Sequence, residues 1–291
     1  MNFFTHEQVS ERILRIRDIS GTAVYLLSGD QKTALLDTGI GIGSLKEYIY
    51  TSFLKTADLI ILTHGHLDHV NGAAEFYGVP VYLHPADRLL MRRHPDAGKR
   101  LQYVRQNAAY TGAEISAVSR DEMLPAFDPE ETLPLSDGQI FDLGGVTVEA
   151  IHTPGHTQGM SMLLLREERT ILFGDGCGVG VLLIEDCAST VTEYRRSLKK
   201  VKTYEACYDR ILRNHGTCSS SKELLDNVID VCEEILAGKD DHIPVKEAPL
   251  ACREQIYLAK AVRPGTQLRL DDKEGNVMYI KSKICRLPRM A

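Results

Sequence analysis

No stretch of this 291-residue chain approaches the run of roughly 20 apolar residues that crosses a bilayer, so no membrane-spanning segment is expected. The first residues, Met1-Asn2-Phe3-Phe4-Thr5-His6-Glu7, carry neither a basic leader nor an apolar segment, and no secretory signal is expected. Paired cysteine motifs are missing as well. The seven cysteines, Cys177, Cys187, Cys207, Cys218, Cys232, Cys252 and Cys285, are odd in number and form no C-x-x-C. That pattern fits a reduced, cytoplasmic setting in which most of them are small core residues. An excess of positive charge is also lacking: the net charge is −6 and the pI near 5.9. A general nucleic-acid binder would need a basic face, which leaves only a local basic patch open.

What remains is ordinary for a globular protein, 43% hydrophobic and 25% charged. The length admits two domains, and one large layered domain fits equally. The chain is organised around Leu59-Ile60-Ile61-Leu62-Thr63-His64-Gly65-His66-Leu67-Asp68-His69. An apolar strand-type run ends abruptly in three histidines and an aspartate. Burying that much unpaired imidazole is costly, and a divalent cation is the natural partner for neutral imidazole and carboxylate. His64 and His66 can reach one ion from a single turn, while Asp68 and His69 would face a second. A lone histidine is usually structural; four ligand-type residues within six positions are not read that way.

The flanking sequence alternates short strands with helices. Residues 12–18, 23–27, 33–36 and 79–83 read as strands, and 41–55 has helical spacing at Ile42, Leu45, Ile49, Phe53 and Leu54. A short helix is expected over 70–77. The second half predicts strands at 138–143, 146–152, 160–165, 170–173 and 209–213. It also predicts helices over 191–201 and 221–236, the latter capped by Ser219 or Ser220 and closed by Gly238. Asp37, at a strand end before Thr38-Gly39, serves either as a turn residue or as support for a histidine ligand. His84 reads as structural, and His152 as a neighbour of the site.

The stretch His64-Gly65-His66-Leu67-Asp68-His69 resembles the His-x-His-x-Asp-His signature of the metallo-β-lactamase superfamily, with glyoxalase II-like and lactonase-like branches nearest in kind. The resemblance implies an α/β fold, a four-layer αββα sandwich. It also implies later ligands at His156, Asp175 and His215 and a supporting Asp37. His64, His66 and His156 would hold one ion and Asp68, His69 and His215 the other. Asp175 would span both with one oxygen each. Two divalent ions, zinc in most readings with iron or manganese as options, would bridge a water and make it hydroxide near neutral pH. Asp68 is then the candidate catalytic residue, orienting that hydroxide. Two positions depart from or complicate the pattern: Asn214 stands where many relatives have glycine, and Cys177 lies two residues past the bridging aspartate.

Residues 1–242 are thus expected to form the metallo-β-lactamase-type domain. Residues 86–131 would be a helical lid insertion, and 243–291 a C-terminal β-hairpin extension on the same domain. The extension's strands are expected at 267–270 and 277–284. Tyr103, Arg105 and Tyr110 of the insertion are candidate substrate contacts; the alternative is a solvated helical hairpin. The expected activity is hydrolysis of a small ester, thioester or lactone. A phosphodiesterase acting on a small phosphorylated substrate and a mononuclear-iron, persulfide dioxygenase-like enzyme are the alternatives. A small-molecule substrate is expected, without nucleic acid or membrane as partner, and a homodimer is possible.

Overall fold

The computed structural model describes residues 3–93, 96–111, 118–246 and 252–285, with the side chains of 108–111 outside the description. A seven-stranded sheet follows chain order through β1 (Phe4–Gln8), β2 (Ile13–Asp18), β3 (Ala23–Ser28), β4 (Thr33–Leu36), β5 (Leu59–Ile61), β6 (Val81–Leu83) and β7 (Thr132–Pro134). Its first four strands pair antiparallel and β4 to β7 run parallel. A six-stranded sheet contains β8 (Ile140–Asp142), β9 (Thr147–His152), β10 (Ser161–Leu165), β11 (Thr170–Leu172), β13 (Arg210–Leu212) and β14 (Ser219–Ser220), ordered β14-β13-β11-β10-β9-β8.

Alternation along the strands puts these sheets face to face. Tyr25, Leu27, Leu36, Leu59 and Ile61 of the first sheet meet Val148, Ala150, Leu163, Leu165, Leu172 and Leu212 of the second in one buried cluster. Their neighbours Val24, Leu26, Leu35 and Ile60 point outward to α1 (Leu45–Phe53) and to Val70, Ala73 and Phe76. Met162, Leu164 and Ile171 point the other way, onto α5 (Val191–Lys202) and α6 (Leu224–Ala237). The result is the αββα order of layers. Because β5 is buried on both faces, its sequence is a continuous apolar run rather than an alternating one.

Local chemistry sets the helix ends. Ser44 accepts the Glu47 N–H at 3.0 Å to start α1, and Thr190 with Glu193 forms a reciprocal cap on α5. Gly238, at φ 63°, ends α6. The expected serine cap on α6 is not used. Ser219 and Ser220 pair with β13 as β14, and α6 starts at Leu224, with Glu223 before it giving no side-chain cap.

The C-terminal segment differs from the hairpin expected for it. β15 (Ile243–Pro244), β16 (Ile256–Leu258) and β17 (Val277–Ile280) form a small sheet with β12 (Val181–Leu183), which pairs parallel to β17. The partner of β17 is therefore β16, and residues 267–270 form no strand. Their alternation explains this: Leu268 and Leu270 face solvent while Arg269 is buried, donating to the Gly275 carbonyl at 3.1 Å. Ile256 and Ile280, by contrast, are buried together with Ile184.

The insertion holds α3 (Arg88–Met91) and α4 (Ala97–Thr111). Leu101, Val104, Val118 and Met123 bury against Ile40 and Ile42, with Leu67 of the histidine motif packed alongside. Arg100 is fully buried and donates to the Ile40 carbonyl at 3.0 Å. One side of α4 is core, so the segment is not a hairpin whose charges only face water. No helix among the described residues is long and apolar enough to cross a membrane.

Candidate metal centre

Five strand ends deliver the site. The turn after β5 carries His64 and His66 and opens into α2 (Leu67–Val70), which holds Asp68 and His69. His156 follows β9, Asp175 follows β11 and His215 follows β13, while Asp37 follows β4. His64, His66 and His156 place ligand atoms within 4.8 Å of one another; so do Asp68, His69 and His215, and so do His64, His69 and Asp175. All seven expected ligands thus meet in one place.

The hydrogen-bond partners assign the imidazole tautomers. Asp37 Oδ2 accepts His69 Nδ1 at 2.9 Å and the Thr63 hydroxyl at 2.8 Å. Thr63 Oγ1, having given its proton to Asp37, accepts from His64 Nδ1 at 3.0 Å. The Leu182 carbonyl accepts His156 Nδ1 at 3.0 Å. Each ring therefore turns a bare Nε2 lone pair inward. His64 Nε2 and His69 Nε2 are buried and have no hydrogen-bond partner. Orphaned acceptors of that kind, converging beside carboxylates, are what a cation would satisfy, and the donor set of imidazole and carboxylate suits zinc or a similar divalent ion.

Asp175 stands between the two groups. Its Oδ2 lies 3.2 Å from His215 Nε2, 3.6 Å from His69 Nε2 and 3.8 Å from His156 Nε2. Asp68 Oδ2 lies 3.4 Å from His215 Nε2 and 3.7 Å from His69 Nε2. Burial, then His69 and His66, push the His64 ring well below its ordinary pKa, which keeps it a neutral donor.

Asp37 is the supporting residue. Besides His69 and the Thr63 hydroxyl it accepts the Thr63 N–H at 2.7 Å and Asn214 Nδ2 at 2.9 Å. Its φ of 61° lies in the left-handed region, a strain these four donors hold in place. Asn214 has a role of its own: it also donates to the Ala23 carbonyl at 2.7 Å, tying β3 to the loop that carries His215.

The insertion reaches the site through two residues. Tyr103 of α4 donates its hydroxyl to Asp68 Oδ2 at 2.7 Å, where the Thr22 hydroxyl also donates at 3.1 Å. Burial first and then Asp68 raise the Tyr103 phenol well above its ordinary pKa, so it remains a donor. Asp87, fully buried, accepts the Gly65 N–H at 2.9 Å, the Gly159 N–H at 2.7 Å and the Thr157 hydroxyl at 2.6 Å. It clamps the histidine turn to the loop bearing His156. A side chain at Gly159 would put its Cβ 2.6 Å from Asp87 Cγ, which is why that position needs glycine.

Arg105 is not gathered into the site. Two residues along a helix turn a side chain through about 200°, so where Tyr103 points in, Arg105 points out, and its guanidinium donates to the Val118 carbonyl at 3.4 Å. The Tyr110 side chain lies outside the described residues. His84 and His152 stack at 3.8 Å, apart from the ligand groups. Cys177 is fully buried in the core under α5 and α6, and burial raises its thiol pKa. Sequence reasoning missed Asp87, Thr22, Glu185 and Cys187. The last two follow β12 and approach His66, with Glu185 Oε1 3.5 Å and Cys187 Sγ 4.0 Å from its Nε2.

Residues 17–206 match the family model of the metallo-beta-lactamase superfamily, and the chain belongs to that superfamily. It is 26% identical over 254 residues to an acyl-coenzyme A thioesterase, MBLAC2, of Homo sapiens, covering 82% of this chain and 81% of that protein. Two fungal relatives are similar over shorter spans. They are the lactamase-like protein vrtG of Penicillium aethiopicum, 29% identical over 67% of this chain, and the atrochrysone carboxyl ACP thioesterase dmxR1 of Cryptosporiopsis, 25% identical over 68%. The chain spans only about half of their lengths, 54% and 52%. Among solved structures, a metallo-beta-lactamase from Pontibacter korlensis superposes with a TM-score of 0.54 at 17% identity, over 79% of this chain and 99% of the other. That likeness supports the αββα fold.

Proposed function

We propose that the protein is a hydrolase of small thioesters, with esters and lactones of similar shape as weaker substrates, and that it works with two divalent ions of the zinc type. The observation that carries this reading is the convergence of seven ligand side chains around the buried, partnerless Nε2 atoms of His64 and His69. His64, His66 and His156 would hold one ion, Asp68, His69 and His215 the other, with Asp175 between them. Bound there, the ions would activate water at neutral pH and polarise the substrate carbonyl.

The chain's own residues do the rest. Asp37 fixes the His69 ring through Nδ1, and Thr63 relays that hold to His64. Asp68, kept on the acceptor side by Tyr103 and Thr22, orients the attacking water and takes its proton. The site opens beside Asp175 and His215, whose side chains are 20% and 37% exposed, and substrate enters there. Thioesters are favoured over the other acyl substrates by the thioesterases among the relatives. The phosphodiester reading has weaker support, because four of the insertion's six arginines are engaged elsewhere: Arg88 with Thr132, Arg92 with Glu130, Arg100 with Ile40 and Arg105 with Val118.

The test is a metal-loaded preparation assayed against acyl-coenzyme A, acyl-pantetheine, aryl ester, lactone and phosphodiester panels, alongside elemental analysis. About two divalent ions per chain and the highest kcat/KM on a thioester are expected. A single tightly held iron with no second ion on reconstitution would sink the dinuclear hydrolase and promote an oxygenase.

A further inference from the structure

His66 faces two clusters at once. Its Nδ1 lies 2.9 Å from His156 Nε2, on the side of the centre described above. Its Nε2 points the opposite way, toward Glu185 Oε1 at 3.5 Å and Cys187 Sγ at 4.0 Å, and Cys187 Sγ lies 4.0 Å from Glu185 Oε2. His66, Glu185 and Cys187 place their ligand atoms within 4.8 Å of one another, a grouping separate from those of the seven-residue centre except for His66 itself. All three are partly exposed, so the cluster sits at the rim rather than in the core.

We propose that His66 Nε2, Glu185 and Cys187 form an additional binding site for a borderline-soft divalent cation such as zinc, outside the seven-residue centre and joined to it through the His66 ring. The geometry is close to what such an ion needs. A tetrahedral zinc with ordinary bond lengths spaces its nitrogen, oxygen and sulfur ligands about 3.3–3.6 Å apart. The His66–Glu185 separation of 3.5 Å, to Oε1, already lies in that range; Cys187 Sγ, 4.0 Å from His66 Nε2 and 4.0 Å from the other Glu185 oxygen, Oε2, would move inward by a few tenths of an ångström through a small rotation of its partly exposed side chain. Three protein ligands leave a fourth position for water, the open arrangement. The donor types also discriminate: a thiolate with an imidazole selects zinc-like ions over magnesium or calcium.

Binding replaces protons. The thiol proton of Cys187 and the Nε2 proton of His66 leave to solvent as the ion enters, and no bond within the protein is broken. The ion would share an imidazole with the inner centre and bring more positive charge to it. It therefore binds after the inner ions and more weakly, and it narrows the mouth beside His66. Its expected consequence is inhibition by excess zinc.

Cobalt(II) is the probe, because the seven-residue centre contains no sulfur. Full-length protein stripped with chelator is titrated with cobalt(II) while the near-ultraviolet and visible spectra are recorded. The first equivalents should give only the weak visible bands of nitrogen and oxygen ligation. A later equivalent should add the intense sulfur-to-cobalt charge-transfer band in the near ultraviolet. That band should vanish in Cys187→Ser and need severalfold more cobalt in Glu185→Gln, with the earlier visible bands unchanged in both. Excess zinc should lower turnover in the wild type and leave Cys187→Ser unaffected. Absence of the charge-transfer band up to a large excess of cobalt overturns the proposal, as does a band that persists in Cys187→Ser. Failure of the first equivalents to bind counts against the seven-residue centre instead, so the two readings are separable.

Discussion

Asp87 offers the sharpest test of how the site is held. Its carboxylate accepts the Gly65 N–H, the Gly159 N–H and the Thr157 hydroxyl, at 2.9, 2.7 and 2.6 Å, in a place with no exposure to solvent. Asp87→Ala strands those donors. A buried donor left unmade costs about 1–3 kcal/mol, and the Thr157 hydroxyl can rotate to another acceptor while the two backbone N–H groups cannot. Counting the two backbone groups near the low to middle part of that range gives about 3 kcal/mol. For a domain of this size that lowers Tm by roughly 6–12 °C. Asp87→Asn should lose less, since its amide oxygen keeps part of the acceptor set while its NH2 faces donors. Burial raises the Asp87 carboxyl against the downward pull of Thr157 and the two N–H groups. The folded state therefore holds this proton more tightly than the unfolded state. Its ionisation costs stability as pH rises from the ordinary carboxylate value to the raised one, and that stability is regained as pH falls. Asp87→Asn lacks that dependence, so its deficit should be larger at the acid end of this window. The assay is thermal and denaturant unfolding of chelator-stripped protein across that window. An Asp87→Ala variant within about 0.5 kcal/mol of wild type, the range of an ordinary surface substitution, would refute the clamp.

Three other expectations concern the centre itself. Asp68→Ala should cut turnover by orders of magnitude with the fold intact by circular dichroism; wild-type turnover with metals bound would remove Asp68 from the mechanism. Asp37→Ala frees His69 Nδ1, the Thr63 hydroxyl and Asn214 Nδ2, and should weaken metal binding by about 10–100-fold in competition with a chromophoric chelator. Unchanged affinity would make Asp37 a turn residue only. Tyr103→Phe deletes a hydrogen bond to a carboxylate, worth about 1.5 kcal/mol at the low end, so kcat should fall about tenfold with KM little changed. A raised KM with kcat preserved would show instead that Tyr103 meets the substrate.

The readability of this chain depended on how far apart the interacting residues stand in sequence. The histidine turn was legible because four ligand types crowd six positions at the end of an apolar strand, a local conflict that only a cation resolves. Asp37 was legible as one of two options, and its contacts with His69 and Thr63 are those the supporting role requires. The four layers were implied only by the resemblance that the histidine turn carries; β3, β4 and β10 are apolar at nearly every position, and only the structure shows their odd and even residues going to different cores. What escaped were contacts that no spacing announces. Tyr103 and Asp68 are separated by 35 residues, Thr157 and Asp87 by 70, and His66 and Cys187 by 121. The strand assigned to 267–270 failed because alternation alone does not say which face has a partner, and Leu268 and Leu270 found none.

These long-range contacts change what the insertion is. A lid that merely covers a site can be cut away without consequence for the metals. Here the segment begins with the clamp at Asp87, fills a core through Leu101 and Val104, spends Arg100 on the Ile40 carbonyl and ends its reach at Asp68 through Tyr103. Replacing all of 86–131 by a linker would therefore loosen the histidine turn along with the mouth, and would confound selectivity with metal loss. Selectivity has to be probed from the outward face of α4, where Arg105 is exposed and reaches only the Val118 carbonyl, leaving Asp87, Arg100 and Tyr103 in place. Metal content that stays constant while substrate preference moves in such variants would separate the two roles that one segment combines.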